Sequence, residues 1–299
     1  MIYNALQSDN ISGEYDIEVH SAQWGPPQKL PSPVNSEEWE DGPSISPDGE
    51  TIYFTRGRDR NVNVYYAEKK DGIWQEPKII DINIENFPTG APHTQDNKIL
   101  YFSSVRPGVI GLGDIYVCEK ENKKWINVKN IGEPVNTIAM ESEPFITANN
   151  KYLYFASNRE GQGSSDIWMS RKTRNGWRKP TNLGEPVNSK HEESQPFVTA
   201  DGNELYFMAV NRNGVAGPAI FRSVKKKQKY LAFFRFFRFF RFFKSIKKNQ
   251  KWEEPEVVIS GFVGEPTLTS DKMYLYFVHL IMKDGTLQDA EIMYVKRKN

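Results

Sequence analysis

Acidic residues and arginines recur in this 299-residue chain at the two ends of a short repeated segment. The acids stand just before a proline and are Asp41, Glu141, Glu143, Glu193 and Glu265. The arginines follow a Tyr-Phe pair and are Arg56, Arg58, Arg106 and Arg159. Two carboxyl groups about 5–10 Å apart in different environments can cleave a glycosidic bond, and Glu143 and Glu265 are the best candidate pair. The same residues would also suit ion pairs between repeats, so both interpretations stay open.

Two histidines interrupt the repeat and are further candidates for ligand binding. Counted back from the closing Phe of each segment, His93 stands where the other segments have Ile45, Ile146, Val198 and Leu268. His279 stands where they have Arg, Ser or Ala. With four His and one Cys in the chain, no metal-ligand spacing is present. We therefore expect neither a metal nor another cofactor.

Five segments of similar sequence contain these residues. They are 42–54 (GPSISPDGETIYF), 90–102, 143–155, 195–207 and 265–277. Each has Ser or Thr eight residues before its final Phe, Asp or Asn six residues before it, and a closing Tyr-Phe pair. Asp, Asn and Gly tolerate the positive φ of a tight turn, so each segment is predicted to be a β-hairpin.

Two more predicted strands follow each hairpin, and the second begins at a Trp in four of the five units. Four strands in about 50 residues are typical of a β-propeller blade. A fifth Trp strand, 24–35, precedes the first hairpin, and the last unit lacks one. We therefore predict an all-β fold: one β-propeller domain over 1–299 with five four-stranded antiparallel blades, closed by the N-terminal outer strand 24–35. Because Asp16-Ile17 resembles a sixth third strand, six blades with an incomplete first one are the alternative.

Three phrases resemble a known family. They are Ser-Pro-Asp-Gly-x-x-Ile-Tyr-Phe (46–54), Phe-Ala-Ser-Asn-Arg (155–159) and Ser-Asp-Ile-Trp (165–168). They are similar to the TolB-like, WD40-like β-propeller repeats of bacterial envelope proteins, over nearly the whole chain except about 225–251. The resemblance implies a periplasmic or extracellular protein that binds proteins or envelope polymers. The chain departs from that expectation in one respect, since its first residues, MIYNALQSDN, show no signal peptide.

The segment 225–251 does not fit the repeat. It contains FFRFFRFFRFF (233–243), and it carries eleven Lys or Arg and no acid. The step from the third strand to the Trp is 22 residues longer here than in the other units, so the segment is predicted to be a basic, Phe-rich insertion in a hairpin loop. Expansion of a short sequence repeat would explain it, and weak contact of 233–244 with an anionic membrane surface is an alternative. The rest of the chain is acidic, so no nucleic-acid partner is expected.

From these features we predict a non-catalytic binding propeller rather than an enzyme, and a monomer. Pockets on such folds favour the channel mouth, where a protein or glycan ligand would meet the acids, arginines and histidines. The alternative is a five-bladed glycoside hydrolase or lyase that uses channel carboxylates.

Overall fold

The computed structural model describes residues 17–226 and 251–298, and the regular elements of these ranges are β-strands. The strands form five antiparallel sheets around a central channel. The prediction of an all-β propeller with five blades is therefore confirmed. Within the two ranges there is no helix of the length and hydropathy needed to cross a bilayer. The Phe-Arg run, and the predictions made for it, lie outside the described residues.

Each blade is numbered in chain order with its strands. Blade 1 contains β3 (Glu40–Ile45), β4 (Thr51–Arg56), β5 (Asn63–Lys70), β6 (Ile73–Trp74) and β7 (Lys78–Ile79). Blade 2 contains β8 (Thr89–His93), β9 (Ile99–Ser104), β10 (Asp114–Glu121) and β11 (Lys124–Asn130). Blade 3 contains β12 (Glu141–Ile146), β13 (Tyr152–Ser157), β14 (Asp166–Thr173), β15 (Gly176–Trp177) and β16 (Thr181–Asn182). In blades 1 and 3 the outer strand is broken into two short pieces that both pair with the third strand.

Blades 4 and 5 receive strands from the N-terminal part of the chain. Blade 4 contains β17 (Glu193–Val198), β18 (Glu204–Val210), β19 (Pro218–Val224) and β20 (Glu256–Ser260), and β1 (Glu18–Val19) lies outside β20 as a fifth strand. Blade 5 contains β21 (Val263–Leu268), β22 (Tyr274–Lys283), β23 (Thr286–Lys296) and, as its outer strand, β2 (Gln28–Lys29). The residues that directly follow Ile17 therefore extend blade 4 and do not begin a sixth blade.

The N-terminal outer strand is held on blade 5 by backbone and side-chain bonds. The Asn35 side chain donates to the Ile292 carbonyl at 2.8 Å and accepts from the Ile292 amide at 2.9 Å. Asn83, Asn136 and Asn188 bracket the third strands of blades 1, 2 and 3 in the same way. These asparagines thus connect the third strand of a blade to the loop that leaves the blade, because one amide side chain satisfies both backbone groups of a strand residue.

The invariant Tyr-Phe pair builds the core between blades. Side chains of adjacent strand residues point to opposite faces of a sheet. Tyr53 accordingly packs in a buried cluster with Leu100 and Phe102 of blade 2, whereas Phe54 packs in another with Tyr276 of blade 5. Each blade needs one large side chain on either face, which explains why both positions are aromatic throughout.

The hairpin turns depend on the Ser/Thr and Asp/Asn positions. The Ser46 hydroxyl donates to Asp48 and accepts the Thr51 amide at 2.8 Å, while Asp48 accepts the Glu50 amide at 3.0 Å. Corresponding bonds occur at Thr147, Thr199 and Thr269. These residues satisfy turn amides that the ladder leaves unpaired, so their recurrence is structural.

Candidate functional site

The five innermost strands share an unusual backbone conformation near their N-terminal ends. In each blade the ladder register shifts at a bulge, and the residue before the proline has a positive φ. These bulge residues are Gly42 (61°), Ala91 (47°), Glu143 (53°), Gln195 (55°) and Glu265 (56°). A positive φ costs about 1–3 kcal/mol for residues other than glycine, so the surrounding structure must hold four of the five in place.

The bulges turn backbone amides toward the side chain of the preceding blade. The Gln195 amide donates to Oε2 of Glu143 at 2.8 Å, and the Glu265 amide donates to Oε1 of Gln195 at 2.7 Å. The Gly42 amide donates to Oε2 of Glu265. These hydrogen bonds thus connect each bulge to the next one around the channel, from blade 3 through blades 4 and 5 to blade 1. Gly42 and Ala91 carry no polar side chain to continue the series.

Three carboxyl groups meet in this ring. Asp41 hydrogen-bonds to Glu265 and accepts the Gly42 amide at 3.0 Å. Burial, together with the charge of Asp41, raises the pKa of Glu265 well above its usual value. Burial also raises the pKa of Glu143 to about 7, although the bond from the Gln195 amide opposes the rise. The three residues are half-buried at the channel.

A small cavity lies inside the ring. It has a volume of about 50 Å³ and is lined by the five bulge residues, the prolines that follow them, and the next residue of each strand. Ligand sites for drug-sized molecules measure about 300–1,000 Å³. The cavity therefore has room for ordered water but not for a sugar ring, which would have to lie across the channel mouth.

His93 lines this cavity from blade 2. Its Nδ1 lies 3.1 Å from the Ser44 hydroxyl and its Nε2 lies 3.2 Å from the Ile146 carbonyl, while its ring stacks on Phe145 at 4.3 Å. Burial lowers its pKa to about 4, so it is neutral near pH 7. Its cross-strand partner is Tyr101, and the equivalent residues are Ser44, Phe145, Phe197 and Thr267. Counting from the closing Phe was wrong by one position because blade 2 lacks a residue in the turn after His93.

Two of the four predicted arginines and two of the predicted acids lie in ion pairs within a blade. Glu141 and Arg159 pair at 2.8 Å in blade 3, and Glu193 pairs with Arg212 at 3.1 Å in blade 4. Arg56 pairs with Glu40 at 2.7 Å in blade 1. Each glutamate is fully buried and also accepts bonds from a Ser or Thr four residues earlier. These groups are satisfied internally and do not line the channel cavity.

Arg106 has no such carboxylate in the described residues. It is 4% exposed, donates to Thr89 at 2.9 Å, and lies over the Phe102 and Tyr116 rings. Arg58 is exposed, packs on the Trp39 ring at 4.2 Å and donates to the Gln288 carbonyl. His279 is half-buried in β22 opposite Val263. Of the ten candidate residues, the structure brings only His93, Glu143 and Glu265 together at the cavity.

Sequence reasoning missed three of the five bulge residues at the cavity, Gly42, Ala91 and Gln195. The Nε2 atom of Gln195 is buried without a hydrogen-bond partner among the described residues. All three stand directly before the proline that recurs in the five segments. Their position in the repeat could therefore have identified them, although their residue types could not. No group of three or more His, Cys, Asp or Glu that could hold a metal ion occurs in residues 17–226 and 251–298.

Comparisons with known proteins support the fold. No family model matches the chain, and no curated protein matches it. Among solved structures, TolB from Acinetobacter baumannii has a TM-score of 0.52 at 14% identity and covers 89% of this chain; this chain covers 56% of that one. The resemblance to TolB-like propellers is thus confirmed at the level of the fold.

Two further similar structures are proteins that cleave glycosides. An α-L-arabinofuranosidase from Lactobacillus brevis has a TM-score of 0.56 at 15% identity, with 89% of this chain and 92% of that chain covered. An endo-arabinase from Bacteroides thetaiotaomicron has a TM-score of 0.57 at 16% identity, with 89% of this chain and 96% of that chain covered. The prediction that the protein is not an enzyme is therefore wrong. It assumed that the channel acids are only structural, whereas glycoside-cleaving proteins of similar length share this fold.

Proposed function

We propose that the protein is a glycoside hydrolase that uses Glu265 and Glu143 at the channel mouth. The observation that carries the proposal is the pair of channel carboxyl groups, which share a ring but differ in their partners. Both accept the bulge amide of the next blade, but Glu265 also shares a hydrogen bond with Asp41. Hydrolysis of a glycosidic bond needs two carboxyl groups in different protonation states.

The two environments assign the roles. Burial and the charge of Asp41 raise the pKa of Glu265, so it holds its proton to higher pH than an ordinary glutamate and suits the general acid that protonates the leaving oxygen. Glu143, with a pKa of about 7, is available as the carboxylate base. The cavity beneath the ring has room for the water that this base would activate, and the sugar would lie over the mouth.

The similar structures suggest the first substrates to test. They are an α-L-arabinofuranosidase and an endo-arabinase, so arabinose-containing glycans are the proposed class. Such polymers are met outside the cytoplasm, and a periplasmic or extracellular location is part of the same proposal.

The test measures release of sugar from linear arabinan and from aryl α-L-arabinofuranosides. We expect Glu265→Gln and Glu143→Gln each to lower kcat/KM about 10²–10⁴-fold, because each removes one proton-transfer step. The Glu265→Gln defect should shrink with a 2,4-dinitrophenyl leaving group, which needs no protonation. Gln keeps an oxygen to accept the neighbouring amide, so the fold should survive, as circular dichroism and Tm would check.

Glu76→Gln serves as the matched control, since Glu76 is exposed and lies outside the channel. Its kcat/KM should equal that of the wild type. Full activity of the folded Glu265→Gln variant on arabinan would refute the assignment of the acid. Absence of hydrolysis by the wild-type protein on a broad panel of plant and bacterial polysaccharides would refute the proposed function.

A further inference from the structure

Three blades contain the same buried arginine site. In blades 1, 3 and 4 the guanidinium binds a buried glutamate at the start of the innermost strand, through the pairs Arg56–Glu40, Arg159–Glu141 and Arg212–Glu193. The same guanidinium also donates to carbonyl oxygens of the loop that enters the blade, such as Val34 and Val135. Each of these cations therefore has both a counter-charge and neutral acceptors.

Blade 2 keeps the arginine but lacks the rest of the site. Thr89 occupies the first position of the innermost strand, where the other three blades have glutamate. Ile84 follows Asn83 where those blades have the Ser or Thr that binds the glutamate. Arg106 reaches one acceptor, the Thr89 hydroxyl, and its Nε has no hydrogen-bond partner among residues 17–226 and 251–298.

A buried cation without a carboxylate is costly, because burial removes its hydration without supplying an opposite charge. The Phe102 and Tyr116 rings, 4.6 and 5.2 Å from the guanidinium carbon, recover part of this cost. They do not satisfy the Nε–H group, which lies in the plane of the guanidinium. A guanidinium with a free in-plane donor binds the two oxygens of a carboxylate particularly well.

We propose that Arg106 is a binding site for an oxyanion of the ligand, which takes the place that a glutamate carboxylate fills in blades 1, 3 and 4. The ligand chemistry is a carboxylate, and an acidic sugar is its proposed source. This second part rests on the proposed function. Thr89 precedes the cavity-lining residue Ala91 by two positions, which is about 7 Å along a strand. A uronic acid next to the sugar over the channel would bring its carboxylate to this side of the mouth.

The experiment measures Tm and calorimetric binding of the wild-type protein with sodium D-galacturonate and sodium D-glucuronate. Glucose and sodium chloride at equal ionic strength are the references, and sodium sulfate tests inorganic oxyanions. At a tenfold excess of uronate over its Kd we expect Tm to rise by about 3 °C. Because the site is buried, the rise should persist at about 0.5 M NaCl, at which a surface arginine would be screened.

Two variants locate the response. Thr89→Glu restores the internal carboxylate, so it should raise Tm without ligand and abolish the uronate response. Arg106→Met should abolish the response too, whereas Arg60→Met, a change of an exposed arginine, should preserve it. A response to both uronate and sulfate supports a general oxyanion site, and a response to uronate alone supports an acidic-sugar site.

Two results would overturn the inference: absence of an oxyanion response in the wild-type protein, or a response that survives in folded Thr89→Glu. Neither measurement depends on hydrolysis. If arabinan is not cleaved but uronate binds through Arg106, the proposed function fails and the oxyanion site stands. If neutral arabinan is cleaved and uronate has no effect, the oxyanion site fails and the proposed function stands.

Discussion

Loss of the buried glutamate of blade 4 should reveal how strongly the repeated ion pairs hold the ring. Glu193 is fully buried, pairs with Arg212 at 3.1 Å and also binds Ser189. In Glu193→Gln the amide oxygen can still accept the Ser189 amide, but Arg212 loses its counter-charge. Breaking a buried pair from one side costs about 3–5 kcal/mol.

The lower end of that range applies here for two reasons. Arg212 keeps the carbonyl oxygens of Val187 and Pro186 as acceptors. Burial also raises the pKa of Glu193 in spite of the arginine, so the neutral amide avoids a desolvation cost that the charged carboxylate bears. We therefore expect a loss of about 3 kcal/mol in the free energy of unfolding, and a fall in Tm of about 6–9 °C.

Urea denaturation and thermal unfolding, followed by tryptophan fluorescence, measure both quantities. Glu291→Gln is the matched control, because the Lys29–Glu291 pair lies at the surface and should contribute no more than about 1 kcal/mol. Adding Arg212→Met to Glu193→Gln should recover part of the loss, because no unpaired charge remains. A loss below about 1 kcal/mol in Glu193→Gln, equal to that of the control, would show that the repeated pairs do not hold the blades together.

Three further predictions concern the channel and the two ends of the ring. The pKa of Glu143 is raised to about 7 in the folded state, so the folded protein retains a proton that the unfolded chain releases near pH 4.5. Stability should therefore fall as pH rises from about 4.5 to 7. Glu143→Gln should flatten that part of the curve of urea midpoint against pH, and an unchanged slope would contradict the assignment. Deleting residues 1–36 should abolish cooperative unfolding, since the deletion removes the buried Trp24, Leu30 and Val34 and exposes the edge of β23. A sharp thermal transition in the deletion variant would disprove closure of the propeller by this segment. Replacing 229–250 by Asn-Gly should leave the propeller folded, because Lys226 and Lys251 already hydrogen-bond at 3.0 Å where the segment leaves the blade; loss of the native circular dichroism spectrum would mean that the segment belongs to the core.

The repeat made the fold predictable because each recurring residue has a local task. Turn residues such as Asp48 and core residues such as Tyr53 and Phe54 act within one blade or its neighbour, so their pattern survives in every unit. Counting along the chain failed at His93, because a residue missing from one turn shifts every count across it. The cross-strand partners in the structure still identify equivalent residues when one blade lacks a residue.

The candidate site was less predictable because its geometry depends on backbone conformation. The bulge places a different side chain in each blade, from Gly42 to Glu265, and residue type alone does not indicate a positive φ at Ala91 or Gln195. Glu40 and Arg212 were missed for a related reason. Glu40 aligns with Glu141 and Glu193, but the neighbouring Asp41 was chosen in its place, and Arg212 lies one position further from the closing Phe than Arg106 and Arg159 do.

The closing strand also constrains the order in which the molecule can be made. Asn35 is synthesised 257 positions before its partner Ile292. Blades 1 to 4 can assemble from neighbouring segments as they appear, but blade 5 cannot be completed until β23 has been made. Contacts so distant in sequence form slowly. The nascent protein must therefore carry an open arc with an unpaired edge, and a chaperone or rapid completion of synthesis would protect it from edge-to-edge association during that interval.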